Sequence, residues 1–142
     1  MSKIALQLTD RIKYRWPPEY CAEFIRKATK AGHEIHVVAD EPNVRLDMTG
    51  DGIHNRLEEN ADDVLDDCDV FVGPPLRLAD VSRLKGLKQV RLLGASLEGE
   101  GVQSTTFCCG CVQKMQPMID CLWSDEICMY EITPNDVMEA IC

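Results

Sequence analysis

The chain has 142 residues, 45% hydrophobic and 27% charged, a composition that suits one globular domain and excludes a wholly disordered chain. Its formal net charge of -9 opposes nonspecific binding to nucleic acid or to an anionic membrane surface. No apolar run reaches the roughly 18 residues of a membrane-spanning helix, so no membrane span is expected.

KIALQL, from Lys3 to Leu8, is a short apolar run that reads as a buried strand. It is too short for the apolar region of a secretory signal, and the expected location is cytoplasmic. The loop that follows, DRIKYRWPP, gathers Arg11, Lys13 and Arg15 on an otherwise acidic protein. Such a local charge fits a small anionic ligand better than a polyanion, and it reads equally as solvated loop charge. Pro17 and Pro18 suit a helix first turn, where a missing N–H costs nothing. Tyr20, Cys21, Phe24, Ile25, Ala28 and Ala31 then recur at helical spacing, and Gly32 supplies the stop.

EIHVVAD, Glu34 to Asp40, is the second strand. A βαβ unit makes the two strands parallel with a right-handed crossover. Glu41, at the end of that strand, sits where open α/β sheets place an acid on ribose hydroxyls; a surface turn is the competing reading. Asn43 to Gly52 is turn-rich. Ile53, Leu57, Ala61, Val64 and Leu65 fit one face of a helix, although Asp66 and Asp67 at its end oppose the helix dipole. DVFVG is the third strand and runs into Pro74 and Pro75. Leu76, Leu78, Val81 and Leu84 suggest a short helix stopped near Gly86. KQVRLLGA, Lys88 to Ala95, is the fourth strand, followed by a loop over 96–106.

Four strand-helix steps predict an α/β, Rossmann-like, doubly wound parallel sheet over residues 1–106. Residues 107–142 form a tail with six of the eight cysteines, ending in a helix capped by Thr133 with Pro134 at its first position. The tail is expected to pack back on the same domain. Cys108 and Cys111 make a C-x-x-C, and with Cys121 and Cys128 they offer four thiolates to a structural zinc. The spacing of the second pair departs from ribbon and knuckle sites, so packed thiols are the alternative, and a reducing compartment disfavours a disulfide. No Gly-x-Gly-x-x-Gly follows the first strand and no phosphate loop is present. His33, His36 and His54 are scattered and read as structural or surface residues. No catalytic residue is assigned.

Taken together, these segments resemble the C-terminal, nucleotide-sugar-binding domain of glycosyltransferase family 9, the heptosyltransferase family, which has the GT-B fold. KYRWPPEYCAEFIRKATKAGHEIHVVADEP is similar to that family's first βαβ unit, DVFVGP to the strand leading into its donor-binding motif, KQVRLLGA to the following strand, and CMYEITPNDVMEAI to its closing helix. The resemblance implies half of a GT-B fold, in which Arg11, Lys13, Arg15, Glu41, Gly73, Arg77, Asp80 and Gly94 face a nucleotide or nucleotide sugar. It implies in particular that Lys13 or Arg15 supplies a cation to the pyrophosphate.

The sequence departs from the family where the family continues Asp-Ser-Gly with a histidine three residues on. Here those places hold Pro75, Leu76, Arg77 and Asp80. Proline removes a backbone donor, leucine removes a hydroxyl, and Asp80 adds negative charge, while Arg77 offers a guanidinium in compensation. The family's acceptor site and proposed base belong to an N-terminal domain with no counterpart in this sequence. The expected function is therefore a stand-alone donor-domain-like module that binds a nucleotide, nucleotide sugar or similar anion without catalysis by itself. The alternatives are the donor half of a split transferase with a partner acceptor domain, and a protein-interaction module with a lost pocket. The face that a second domain would cover makes a homodimer a further expectation.

Overall fold

The computed structural model describes residues 2–11, 14–41, 44–93, 101–103 and 132–141. Among them are six strands: β1 (Lys3–Leu8), β2 (Glu34–Ala39), β3 (Ile53–Asn55), β4 (Val70–Gly73), β5 (Lys88–Leu93) and β6 (Gly101–Gln103). They form one sheet in the order β3-β2-β1-β4-β5-β6, with every pair parallel. Chain direction across the sheet reverses between β1 and β4. This is the doubly wound Rossmann arrangement, whose crevice for ligands lies outside the carboxyl ends of the strands at that switch point.

Among the described residues, four helices cover the sheet: α1 (Pro18–Lys30), α2 (Ala61–Leu65), α3 (Arg77–Leu84) and α4 (Pro134–Ile141). Strand side chains alternate between faces, and that alternation builds two cores. Ile4, Leu6, Ile35, Val37, Val70, Val72, Val90 and Leu92 point to one side, where Phe24, Ile25 and Ala28 of α1 and Val137 and Ile141 of α4 bury them. Ala5, Val38 and Phe71 point to the other, against Ala61, Val64 and Leu65 of α2 and Leu78 and Ala79 of α3.

The helix α1 begins with Pro18 at its first position, where no intrahelical N–H bond is lost. It ends in a Schellman turn: Gly32 donates to the Thr29 carbonyl and His33 to that of Ala28. Gly32 has φ of 93°, a conformation that a Cβ would oppose. α4 is opened by a reciprocal cap, in which Asp136 N–H donates to Thr133 Oγ1 and Thr133 N–H to Asp136 Oδ2. Trp16 Nε1 donates to the Ile132 carbonyl at 2.7 Å in the interior, tying the loop after β1 to the segment before α4.

Two sequence expectations are corrected. The helix expected over 53–65 is strand β3 followed by a turn and only then α2. Ile53 pairs with Ile35 and His54 with His36, so the sheet's edge captures the first three residues, and Asn60 starts the helix by accepting from Asp62 N–H. The loop expected over 96–106 contains β6, which pairs with Arg91 to Leu93. A three-residue edge strand carries too little periodicity to be read from sequence. Among the described residues, no helix is long and apolar enough to cross a membrane.

Candidate functional site

The loops at the carboxyl ends of β1 and β2 enclose a cleft of about 240 Å³ beside the switch point. Its floor and walls come from Gln7 to Asp10 at the end of β1, Tyr14 to Trp16 in the following loop, Pro18, Cys21 and Ala22 of α1, Val44 to Leu46, Pro74 and Leu92. Most of these groups are apolar, as in ordinary small-molecule sites. The volume is that of a small-molecule fragment, and the cleft is open on one side.

An ion pair adjoins the cleft through its wall residue Thr9. Arg11 Nε lies 3.2 Å from Glu41 Oε1, and Thr9 Oγ1 donates to the same oxygen at 2.9 Å. Thr9 in turn accepts from the Arg11 N–H. The end of β1 and the end of β2 are therefore joined through one carboxylate oxygen, while Glu41 Oε2 is buried with no hydrogen-bond partner. A buried acceptor without a donor is costly, and a ligand hydroxyl is one group that relieves it. Arg15 and Arg45 also line the cleft, and Arg45 makes no ion pair or side-chain hydrogen bond among the described residues.

Backbone donors are scarce here. Pro17 and Pro18 have no N–H, and those of Tyr20 and Cys21 are bonded to the Pro17 carbonyl, so the start of α1 keeps at most the donor of Glu19 for an anion. Across the switch point, Pro74 and Pro75 have none, and Leu76 N–H turns back onto the Pro74 carbonyl. The start of α1 therefore offers an anion little, and among the described residues the cations that line the cleft are the Arg15 and Arg45 guanidinium groups. The Cys21 thiol is pushed up to about 12 by burial, with the nearby Glu19 charge adding to the effect, so it is no nucleophile at neutral pH.

The sequence-selected residues divide into two groups. Arg15 lines the cleft, and Arg11 and Glu41 pair with each other beside it, bonded to the cleft residue Thr9. Gly73, Arg77 and Asp80 belong to β4 and α3. A Cβ on Gly73 would stand 2.8 Å from the Phe71 ring and 2.9 Å from Gln7 Cβ, so packing on the sheet demands glycine there. Arg77 spans two carboxylates: Nη2 and Nε reach Asp40 at 2.8 and 3.0 Å, and Nη2 and Nη1 reach Asp62 at 2.9 and 3.2 Å. Asp80 accepts from the buried Arg91 at 3.1 Å. Lys13, Gly94, Cys108, Cys111, Cys121 and Cys128 lie outside the described residues.

Sequence reasoning missed Thr9, Arg45 and Leu46. The signal available for Arg45 was its place in the β2–β3 connection, since every loop that leaves the end of a parallel strand opens on the ligand-facing side of the sheet. That signal was hidden by reading Ile53 to Asn55 as helix.

No protein-family model matches this chain, and no curated protein does. Among solved structures, it is similar to the dodecameric iron-containing heptosyltransferase TibC in complex with ADP-D-beta-D-heptose, with a TM-score of 0.72 and 15% identity over 99% of this chain. It is also similar to the iron-containing dodecameric glycosyltransferase TibC from enterotoxigenic E. coli H10407, with a TM-score of 0.68 and 13% identity over 98% of this chain. This chain spans 44% of the length of each. The fold is thus α/β, Rossmann-like and heptosyltransferase-like.

Proposed function

We propose that this chain is a donor-domain-like module of the kind found in GT-B glycosyltransferases, corresponding to their C-terminal half, and that it binds a nucleotide, nucleotide sugar or similar anionic small molecule without catalysis by itself. The observation that carries the reading is the cleft at the switch point, lined by Arg15 and Arg45 and joined through its wall residue Thr9 to the Arg11–Glu41 pair, whose second carboxylate oxygen is unpaired. Guanidinium groups take phosphate in bidentate fashion, and a carboxylate at the end of the second strand takes ribose hydroxyls. The similar TibC structure holds ADP-D-beta-D-heptose, a ligand of this chemical class. Absence of catalysis follows from Pro75, Leu76, Arg77 and Asp80 standing where the resembling family has its Asp-Ser-Gly and histidine.

Calorimetric titration with ADP, UDP and CDP and their sugar conjugates tests the reading. Micromolar binding weakened tenfold or more by Arg45→Ala or Glu41→Gln is expected; a folded protein that binds none of them overturns it and favours an interaction module. The alternative reading is the donor-binding part of a split or truncated transferase that acts with a separate acceptor domain. Transfer activity gained on adding a partner chain that carries an acceptor domain would establish it, and a homodimer alone would not.

Cys108, Cys111, Cys121 and Cys128 are proposed to hold a structural metal. Thiolates suit zinc and iron alike, the TibC proteins are iron-containing, and elemental analysis of the purified chain decides between zinc, iron and neither.

A further inference from the structure

We propose that Glu34, His36 and His54 form a binding site for a divalent first-row transition ion at the β2–β3 edge of the sheet. Parallel register sets His36 directly beside His54, and their rings lie 4.6 Å apart at 13°. Glu34 is two residues before His36 and projects from the same face of β2. One ligand atom from each of the three residues lies within 4.8 Å of the others, and Glu34 Oε2 is 3.6 Å from His36 Nε2. With metal–ligand bonds of about 2.0–2.2 Å, tetrahedral ligand atoms stand roughly 3.4 Å apart. The Glu34–His36 pair is already at that spacing.

The second observation concerns His36 itself. The residue is 7% exposed and its Nε2 has no hydrogen-bond partner, so a buried nitrogen faces the cluster without a bond to satisfy it. Two imidazoles and one carboxylate make a borderline donor set that suits zinc, cobalt or nickel and leaves one position open for water. The Glu34 carboxylate supplies negative charge at the cluster, while the Arg56 guanidinium beside His36 is already paired with Glu59 and Asp67. Two costs are visible. A metal lies in the plane of each ring it binds, so the exposed His54 must turn out of the stack, and Arg56 Nη1, 3.4 Å from His36 Nδ1, opposes the proton that metal binding at Nε2 leaves on Nδ1. The site lies on the α2 face of the sheet, apart from the cleft, and does not depend on nucleotide binding.

Cysteines elsewhere in the chain also take zinc, so the test reads the histidines individually. Zinc is added to the full chain while the imidazole signals of His36, His54 and His33 are followed by NMR. His33 accepts from Ser2 N–H and serves as the internal reference. The expected result is that His36 and His54 signals move together and saturate with one ion, His33 stays still, and His54→Ala and Glu34→Gln each weaken that response at least tenfold with unchanged amide dispersion. Zinc uptake that leaves His36 and His54 unmoved, or a His54→Ala chain whose His36 responds like the parent, overturns the proposal.

Discussion

Arg77→Ala separates a structural arginine from a ligand-binding one. In the fold this guanidinium holds Asp40, after β2, and Asp62, in the first turn of α2, through four hydrogen bonds of 2.8–3.2 Å. The Arg77 side chain is 53% exposed and its two partners 30% and 39%, so water and salt screen the pairs, and together they contribute about 1 kcal/mol. For a chain of this size that is a fall in Tm of about 3–5 °C. The pH dependence has a definite sign. Hydrogen bonds from Arg77 hold the Asp62 carboxyl below the usual aspartate range. Its contribution is present above the unfolded value of about 3.9 and is lost as pH falls through the lower folded value. Chemical unfolding of parent and variant should therefore differ at pH 7 and converge as pH falls below the ordinary aspartate range, while nucleotide affinity at pH 7 changes less than about twofold. A variant of unchanged stability that loses nucleotide binding tenfold would refute this, and would mean that Arg77 leaves its carboxylates to grip the ligand.

Thr133→Ala removes the side-chain half of the α4 cap and should cost about 1 kcal/mol in urea unfolding, with Ser restoring most of it. Trp16→Phe leaves the Ile132 carbonyl without its indole donor and should destabilise by about 1–3 kcal/mol; an unchanged unfolding midpoint would show that the β1 loop and α4 are not coupled there. Burial pushes the Cys21 and Cys68 thiols up to about 12 and about 11. Site-resolved alkylation at pH 8 should spare both in the native protein and label both in urea, and rapid native labelling of Cys21 would show that the cleft opens to its base.

The strand-helix alternation was legible because strong local signals set it. KIALQL and EIHVVA each fill a strand between turn residues, and the paired prolines and Gly32 bracket α1. What stayed hidden depended on distant partners. Ile53 to Asn55 is a strand because Ile35 to Val37 lies alongside, and Gly101 to Gln103 because β5 does. The candidate site was half legible for the same reason. Arg11, Arg15 and Glu41 follow strand ends, where fold class alone places ligands, whereas Arg45 reaches the cleft beside Arg15 through a connection with no regular pattern. Arg77 follows a strand end too, yet its carboxylate partners lie 37 and 15 residues away, and nothing local in the sequence announces them.

The central claim is that the cleft at the switch point is where an anionic nucleotide ligand binds, and backbone NMR of the full chain during titration with ADP or an ADP-sugar tests it most directly. Saturable shifts concentrated at Leu8 to Arg15, Val44 to Leu46 and Leu92, absent in the Arg45→Ala, Glu41→Gln double variant, are the predicted result. Shifts centred on α3 around Arg77, or no shifts at millimolar ligand, would contradict it.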